Sequence, residues 1–248
     1  MENATTFGLN AKAYHSSRPT YPDAMFQWIA GEATRHDLAW DVGTGSGQAA
    51  LKLSDHFARI HATDIDPEQI RQAPKHSKIT YAQGAAHVSG LPSHSVDAIT
   101  VATALHWFDH VPFWEEVHRV ARKDAIFCAW TYHGAETETD VQDRLVDPVI
   151  KILEPYWSEG NRLSWRGYSR EELQMPFDPV AVPGFVCSLH WTAPQIAGFV
   201  RSWSAYRKAQ LDGHSEILAA VEKEALASLG DERRRFILPL HFIAARIR

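Results

Sequence analysis

The chain is poor in cysteine: of its 248 residues only Cys128 and Cys187 are cysteines, far apart and without C-x-x-C spacing. That excludes a disulfide framework and a cysteine-built zinc site. It also lacks an excess of basic charge. The 25 Lys+Arg residues are outnumbered by 30 Asp+Glu, for a formal net charge of −5, which excludes a role in coating nucleic acid. The one dense basic run, Arg233-Arg234-Arg235, follows Asp231-Glu232 and reads as a solvated strand start. No apolar run reaches the roughly 18 residues of a membrane span. Residues 1–10 lack the basic and apolar regions of a secretory signal, so a cytoplasmic protein without a membrane partner is expected. The 14 histidines show no pairing at metal-ligand spacing, and no metal is expected. Internal repeats, low-complexity tracts and linkers are absent too. The remainder is ordinary globular composition, 45% apolar and 22% charged.

What is present is concentrated early. Leu38-Ala39-Trp40-Asp41-Val42 is an apolar run with an acid near its end, and it opens into Gly43-Thr44-Gly45-Ser46-Gly47. A helical pattern follows, then a second apolar run closing on Thr63-Asp64-Ile65-Asp66. Strand, glycine loop, helix, strand is the front half of a nucleotide-type site. The glycines fall at every second position, and Gln48 stands where a dinucleotide binder would place its third glycine. Such a loop suits a small adenosine-bearing molecule without a pyrophosphate, and S-adenosylmethionine (SAM) leads. Gly43, Gly45 and Gly47, with Thr44, let the main chain approach the ligand closely. The N–H groups of the helix that follows suit a carboxylate, and Asp41 can face an ammonium. Asp64 lies 21 residues beyond Gly43, where a carboxylate can accept ribose hydroxyls, with Ile65 beside it. Asp66, followed by Pro67, reads as a helix N-cap.

Strands are expected at 38–42, 59–64, 78–83, 96–101 and 125–131, and helices at 47–57, 67–73 and 112–121. This alternation predicts parallel crossovers and an open, helix-covered α/β sheet, whose ligands sit beyond the carboxyl ends of the strands. One domain is expected. Residues 1–36 form an N-terminal cap, 37–132 the cofactor-binding core, and 180–191 and 234–247 the final strands. Segments 133–178 and 192–232, where the rhythm breaks, form a helical and aromatic lid. Within them, 140–155, 193–209 and 214–229 read as helices.

The third and fourth strand tips complete the expected site. Gly84-Ala85-Ala86-His87 offers small residues to a flat adenine ring. Thr103 precedes Leu105-His106-Trp107-Phe108-Asp109, where an aromatic face can stabilise a sulfonium cation. His106 can orient a substrate or take a proton near neutral pH. Tyr14, Trp107, Trp130, Tyr132 and Trp203 are candidate pocket walls, and Arg18 a candidate cation for an acceptor carboxylate. A carboxylate is already ionised at neutral pH and needs no base; a phenol, amine or enolic carbon is helped by one, for which His106 is the candidate. Two alternatives stand beside methyl transfer. One is an NAD(P)-dependent oxidoreductase, which the glycine spacing disfavours. The other is a non-catalytic SAM-binding or interaction module.

Together these residues resemble the class I SAM-dependent methyltransferases, with a closer likeness to small-molecule enzymes of the trans-aconitate methyltransferase-like (type 11) group. The likeness runs from Tyr14, Arg18-Pro19 and Tyr21-Pro22 through Asp41 to Gly47, Asp64, Ser95-Val96-Asp97 and Leu105 to Asp109. It continues through Glu116, Arg119-Val120, Trp130 and Tyr132 to Val200-Arg201-Ser202-Trp203-Ser204. It implies a Rossmann-like, mostly parallel sheet of seven strands, the last antiparallel, with helices on both faces and the lid inserted after the fifth strand. It implies Gly43 to Gly47 with Asp41 at the methionine end, Asp64 at the ribose, and Ala85-Ala86 beside adenine. Two departures stand out. The adenine loop lacks the acid common in the family, and Lys123-Asp124-Ala125 replaces the glycine often found before the fifth strand.

Overall fold

The computed structural model describes residues 19–248. Tyr14 and Arg18, with the arm that carries them, lie outside the described residues.

Strand β1 (Leu38–Val42) is buried at all five positions, as a central strand of a parallel sheet must be. It pairs in parallel with β2 (Arg59–Asp64) on one side and β4 (Val96–Ala102) on the other. Outward lie β3 (Ile79–Gln83), parallel to β2, and β5 (Ala121–Tyr132), parallel to β4. Strand order reverses between β1 and β4, which opens a crevice at their carboxyl ends. The short β6 (Glu136–Thr137), β7 (Asp178–Val180) and β8 (Phe185–Thr192) all pair with β9 (Arg233–Ile247). β9 runs antiparallel to β5 and β8, giving the main order β3-β2-β1-β4-β5-β9-β6.

The sheet is therefore the expected mostly parallel α/β sheet, with seven strands along its main path. The strand expected at 180–191 is split in two. Pro183-Gly184 lies in the break between β7 and β8, and a proline cannot donate to the ladder.

Side-chain alternation along β5 sorts the core. Ile126, Cys128 and Trp130 pack on the face covered by α1 (Asp23–Glu32) and α2 (Gln48–Leu53). Ala125, Phe127 and Ala129 pack on the opposite face with Phe113, Trp114 and Val117 of α4 (His110–Val120); α3 (Pro67–Gln72) follows β2. Trp130 is fully enclosed between Tyr21, Phe26 and Phe242. At the amino ends of the strands Asp97 accepts from the backbone N–H of Asp37 and Leu38 and pairs with Arg122. Asp124 adopts a left-handed φ of 64° just before the fifth strand's buried run, a conformation Asp tolerates better than most residues.

The later helices are α5 (Asp147–Leu153), α6 (Glu159–Arg166), α7 (Ala193–Arg201), α8 (Ser204–Ala209) and α9 (Ser215–Leu229). Four of them share a third apolar cluster built on Val149, Leu153, Val200, Tyr206 and Leu218. The single helix expected over 193–209 is two, broken at Ser202-Trp203. The 158–179 stretch, read from its Gly, Pro, Trp and Tyr content, holds α6. That helix starts on a reciprocal cap between Ser158 and Asn161, which offsets its weak helical pattern.

Candidate active site

The glycine loop leaves β1 with positive φ at each glycine: 65° at Gly43, 56° at Gly45 and 82° at Gly47. The N–H of Thr44 donates to Thr63 O at 2.9 Å, joining the loop to β2. A Cβ on Gly43 would lie 2.7 Å from Ala104 Cβ, so the loop and the tip of the fourth strand fit only with glycine there. Gly47 packs on Tyr81 rather than on the crevice wall.

Asp41 does not face the crevice. Its carboxylate is wholly buried behind the loop and accepts from the hydroxyls of Thr44 at 2.5 Å and Thr100 at 2.8 Å. Burial, opposed by those two bonds, pushes its pKa up to about 6. Its work is to brace the loop against β4, not to meet an ammonium. Asp64 stands on the crevice wall. Its two oxygens accept from the N–H of Gly45 at 2.8 Å and Asp66 at 2.9 Å, and burial raises its pKa. Each oxygen keeps a lone pair for a further donor. Asp66 caps α3 by accepting from Glu68 N–H at 2.8 Å, as its spacing from Pro67 predicts.

Ile65, 58% exposed, supplies an apolar surface beside these acids. Opposite lie Gly84, Ala85, Ala86 and His87. Their loop is tethered to β2 by Gly84 N–H donating to Asp64 O at 2.9 Å. It is tethered to α4 by Ser89, whose N–H and hydroxyl both donate to Glu116. The Arg119 guanidinium beside Glu116 holds that carboxyl down to about 2. The cavity so enclosed is about 390 Å³, within the usual range for a small-molecule site. Asp64, Asp66 and Asp109 line it, and no lysine or arginine does among the described residues. That donor set suits a ligand with hydroxyls and a positive charge, and opposes a pyrophosphate.

A second, smaller chamber of about 90 Å³ adjoins the first, and Thr103 and Trp107 line both. Thr103 holds a φ of 51°, unusual for a β-branched residue, with its N–H bonded to Trp130 O at 2.8 Å. Trp157, Trp165 and Trp203 meet one another at ring distances of 5.5–5.6 Å and form the far wall. His106 and Tyr132 line this chamber and not the crevice. Thr131, Asn161, Ser164 and Ser204 add neutral polar groups, and no charged side chain lines it among the described residues. Trp130, expected on the wall, lies in the core beneath it.

Sequence reasoning missed several wall residues. Tyr21 lines the crevice while stacking on Tyr132 at 6.1 Å; its place between two prolines was the available signal. Phe108 lies against Gly43. Asn161, Ser164, Trp157 and Trp165 carried no signal beyond an aromatic-rich stretch.

A family profile described as a methyltransferase domain matches residues 40–129. A solved structure of a protein designated a type II methyltransferase, from Anaeromyxobacter dehalogenans, superposes with a TM-score of 0.82 at 36% identity, covering 93% of this chain and 98% of that one. A Dictyostelium discoideum protein named as a methyltransferase is 29% identical over 224 residues, 89% of this chain and 84% of its own. A Saccharomyces cerevisiae protein designated an S-adenosylmethionine-dependent methyltransferase is 26% identical over 238 residues, covering 82% of this chain and 81% of that one.

Proposed function

Because the chain belongs to the S-adenosylmethionine-dependent methyltransferases, we propose that its acceptor is a small molecule methylated on a carboxylate oxygen in the aromatic chamber. The activity is methyl transfer and the cofactor is SAM. When bound, SAM supplies a methyl group already activated by its sulfonium. The protein's share of an in-line displacement is alignment and the exclusion of water.

In this reading the loop residues Gly43, Thr44 and Gly45 hold the methionine end, and Asp64 accepts the ribose hydroxyls. Ile65 and the Ala85-Ala86 loop flank the adenine. The acidic wall of the crevice supports a cationic ligand by direct Coulomb attraction. Thr103 and Trp107 form the partition across which the methyl group passes. An indole face there favours the positive charge of a sulfonium. Segments 133–178 and 192–232 act as the lid, for α6 and α8 bring Asn161, Ser164 and Ser204 to the chamber. Tyr14 and Arg18 remain candidates for the acceptor side.

The observation that carries the proposal is the shared wall: a crevice fit for SAM opens against a chamber of neutral donors and tryptophan faces. Two measurements check it. Calorimetry with S-adenosylhomocysteine (SAH) should give micromolar binding. Transfer of tritiated methyl from SAM should then label small aliphatic and aromatic carboxylic acids, as base-labile esters, and leave phenols and amines unlabelled. SAH binding accompanied by labelled phenols or amines would move the acceptor to another class.

A further inference from the structure

His106 stands in the acceptor chamber with one ring nitrogen already committed. Its Nδ1 lies 2.8 Å from the Tyr168 hydroxyl, which is buried under the chamber floor. Which of the two groups donates decides what the other nitrogen of His106 can do. The surroundings of the Tyr168 oxygen answer this. Hydrogen bonds from the Thr131 hydroxyl and from the backbone of His106 and Leu105 all favour the phenolate form, as only donors to that oxygen do. A phenol oxygen has two lone pairs, and these donors occupy them. A further donor from His106 would find no lone pair, whereas the phenol's own proton needs an acceptor. The proton of Tyr168 therefore goes to Nδ1. Burial raises the phenol's pKa further, so the proton stays in place at working pH. A neutral imidazole that accepts at Nδ1 carries its hydrogen on Nε2.

Asn161 is turned by the same logic. Its Oδ1 accepts from the Ser158 N–H at 3.3 Å, the Ser158 hydroxyl at 2.8 Å and the Ser204 hydroxyl at 3.1 Å. A backbone N–H can only donate, so the oxygen must face Ser158 and the amide NH₂ must face away from it. Ser204, on α8, thus sets the amide of a residue on α6, and both line the chamber.

We propose that His106 and Asn161 serve the acceptor as two fixed hydrogen-bond donors for its oxygen, and that Tyr168 is the positioning residue that keeps His106 in its Nε2–H form. This rests on the methyl-transfer reading and sharpens it. A neutral imidazole that presents a hydrogen cannot remove one, so the acceptor must arrive with its lone pair available, as an oxyanion does. Two neutral donors would hold such an anion without cancelling its charge by a full cation, which keeps it nucleophilic.

The test uses the full chain with SAH bound and histidine labelled with ¹⁵N, the His106 signals being identified by their loss in His106→Gln. In the wild type, long-range ¹H–¹⁵N spectra at pH 8 should show His106 with a bare Nδ1 and a protonated Nε2. Tyr168→Phe should shift Nδ1 toward the value of an unbonded nitrogen, while the other histidine signals stay in place. A His106 protonated on Nδ1, or spectra unchanged by Tyr168→Phe, would overturn the assignment. Acetate and benzoate are the anion probes for the pair. Each should bind the SAH complex in calorimetry, and Asn161→Asp, which sets a carboxylate against the anion, should weaken binding at least tenfold. Failure of both probes to bind the wild type, or equal binding by Asn161→Asp, overturns the donor pair. SAH affinity is measured alongside. Its absence in the wild type would sink the methyl-transfer reading, whereas its retention with the wrong tautomer would sink this one alone.

Discussion

The two cavities were assembled in different ways. Apart from Tyr21, the crevice draws its described walls from 43–109, from strand tips that succeed one another along the chain. The chamber draws on Thr103, Thr131, Asn161, Phe199 and Leu238, which lie on five separate segments. The first is held by backbone geometry: positive-φ glycines, main-chain donors on Asp64, and a buried acid behind the loop. The second is held by side chains packing edge to face. A cavity made of backbone tolerates few substitutions and binds one kind of ligand. A cavity made of side chains can change its occupant one residue at a time.

Substitutions can set the two against each other. Gly43→Ala should have the largest effect, because it forces an L-residue into φ 65° and drives its Cβ against Ala104. Left-handed strain and overpacking together cost about 2–4 kcal/mol, visible as a lower urea midpoint. Asp64→Ala should come next. It removes a carboxylate that orders the Gly45 loop and is assigned to the ribose, and losing charged hydrogen bonds of this kind weakens SAH binding roughly 100-fold. Trp203→Ala, on the chamber side, should leave that affinity within about threefold. Equal losses from the two would show that the cavities are one site. The smallest effect concerns Asp41, whose pKa is pushed up to about 6 by burial from a model value of 3.8. A raised carboxylate binds its proton more tightly folded than unfolded. Its contribution is therefore complete below about pH 4 and is lost as the pH rises through 6. Asp41→Asn should remove that slope, worth on the order of 2 kcal/mol, in urea titrations between pH 4 and 7, while leaving SAH affinity nearly unchanged.

The crevice was legible because its physics is local. Gly43 and Gly45 are needed where the main chain turns left-handed, and Asp66 where Pro67 opens a helix. The sheet was legible for the same reason, since each buried parallel strand is a short apolar run. Asp41 misled, because an acid at a strand tip looks alike whether it faces a ligand or the hydroxyls of Thr44 and Thr100. Trp130 misled because alternation along β5 decides which face it takes, and Tyr132, two positions on, lies where the strand meets the chamber. The chamber itself could not be read. Asn161 matters through Ser158 and Ser204, and Tyr168 through His106, a partner 62 residues away in sequence. Such pairings exist only once the sheet has brought the segments together.

The partition formed by Thr103 and Trp107 has a thermodynamic consequence. Two ligands that press on one wall cannot bind independently: whatever factor the occupant of one cavity imposes on the affinity of the other is returned to it unchanged. A tight acceptor would then slow the departure of spent cofactor, and a poor one would hasten it. Discrimination among acceptors and the pace of turnover would be adjusted by the same two side chains.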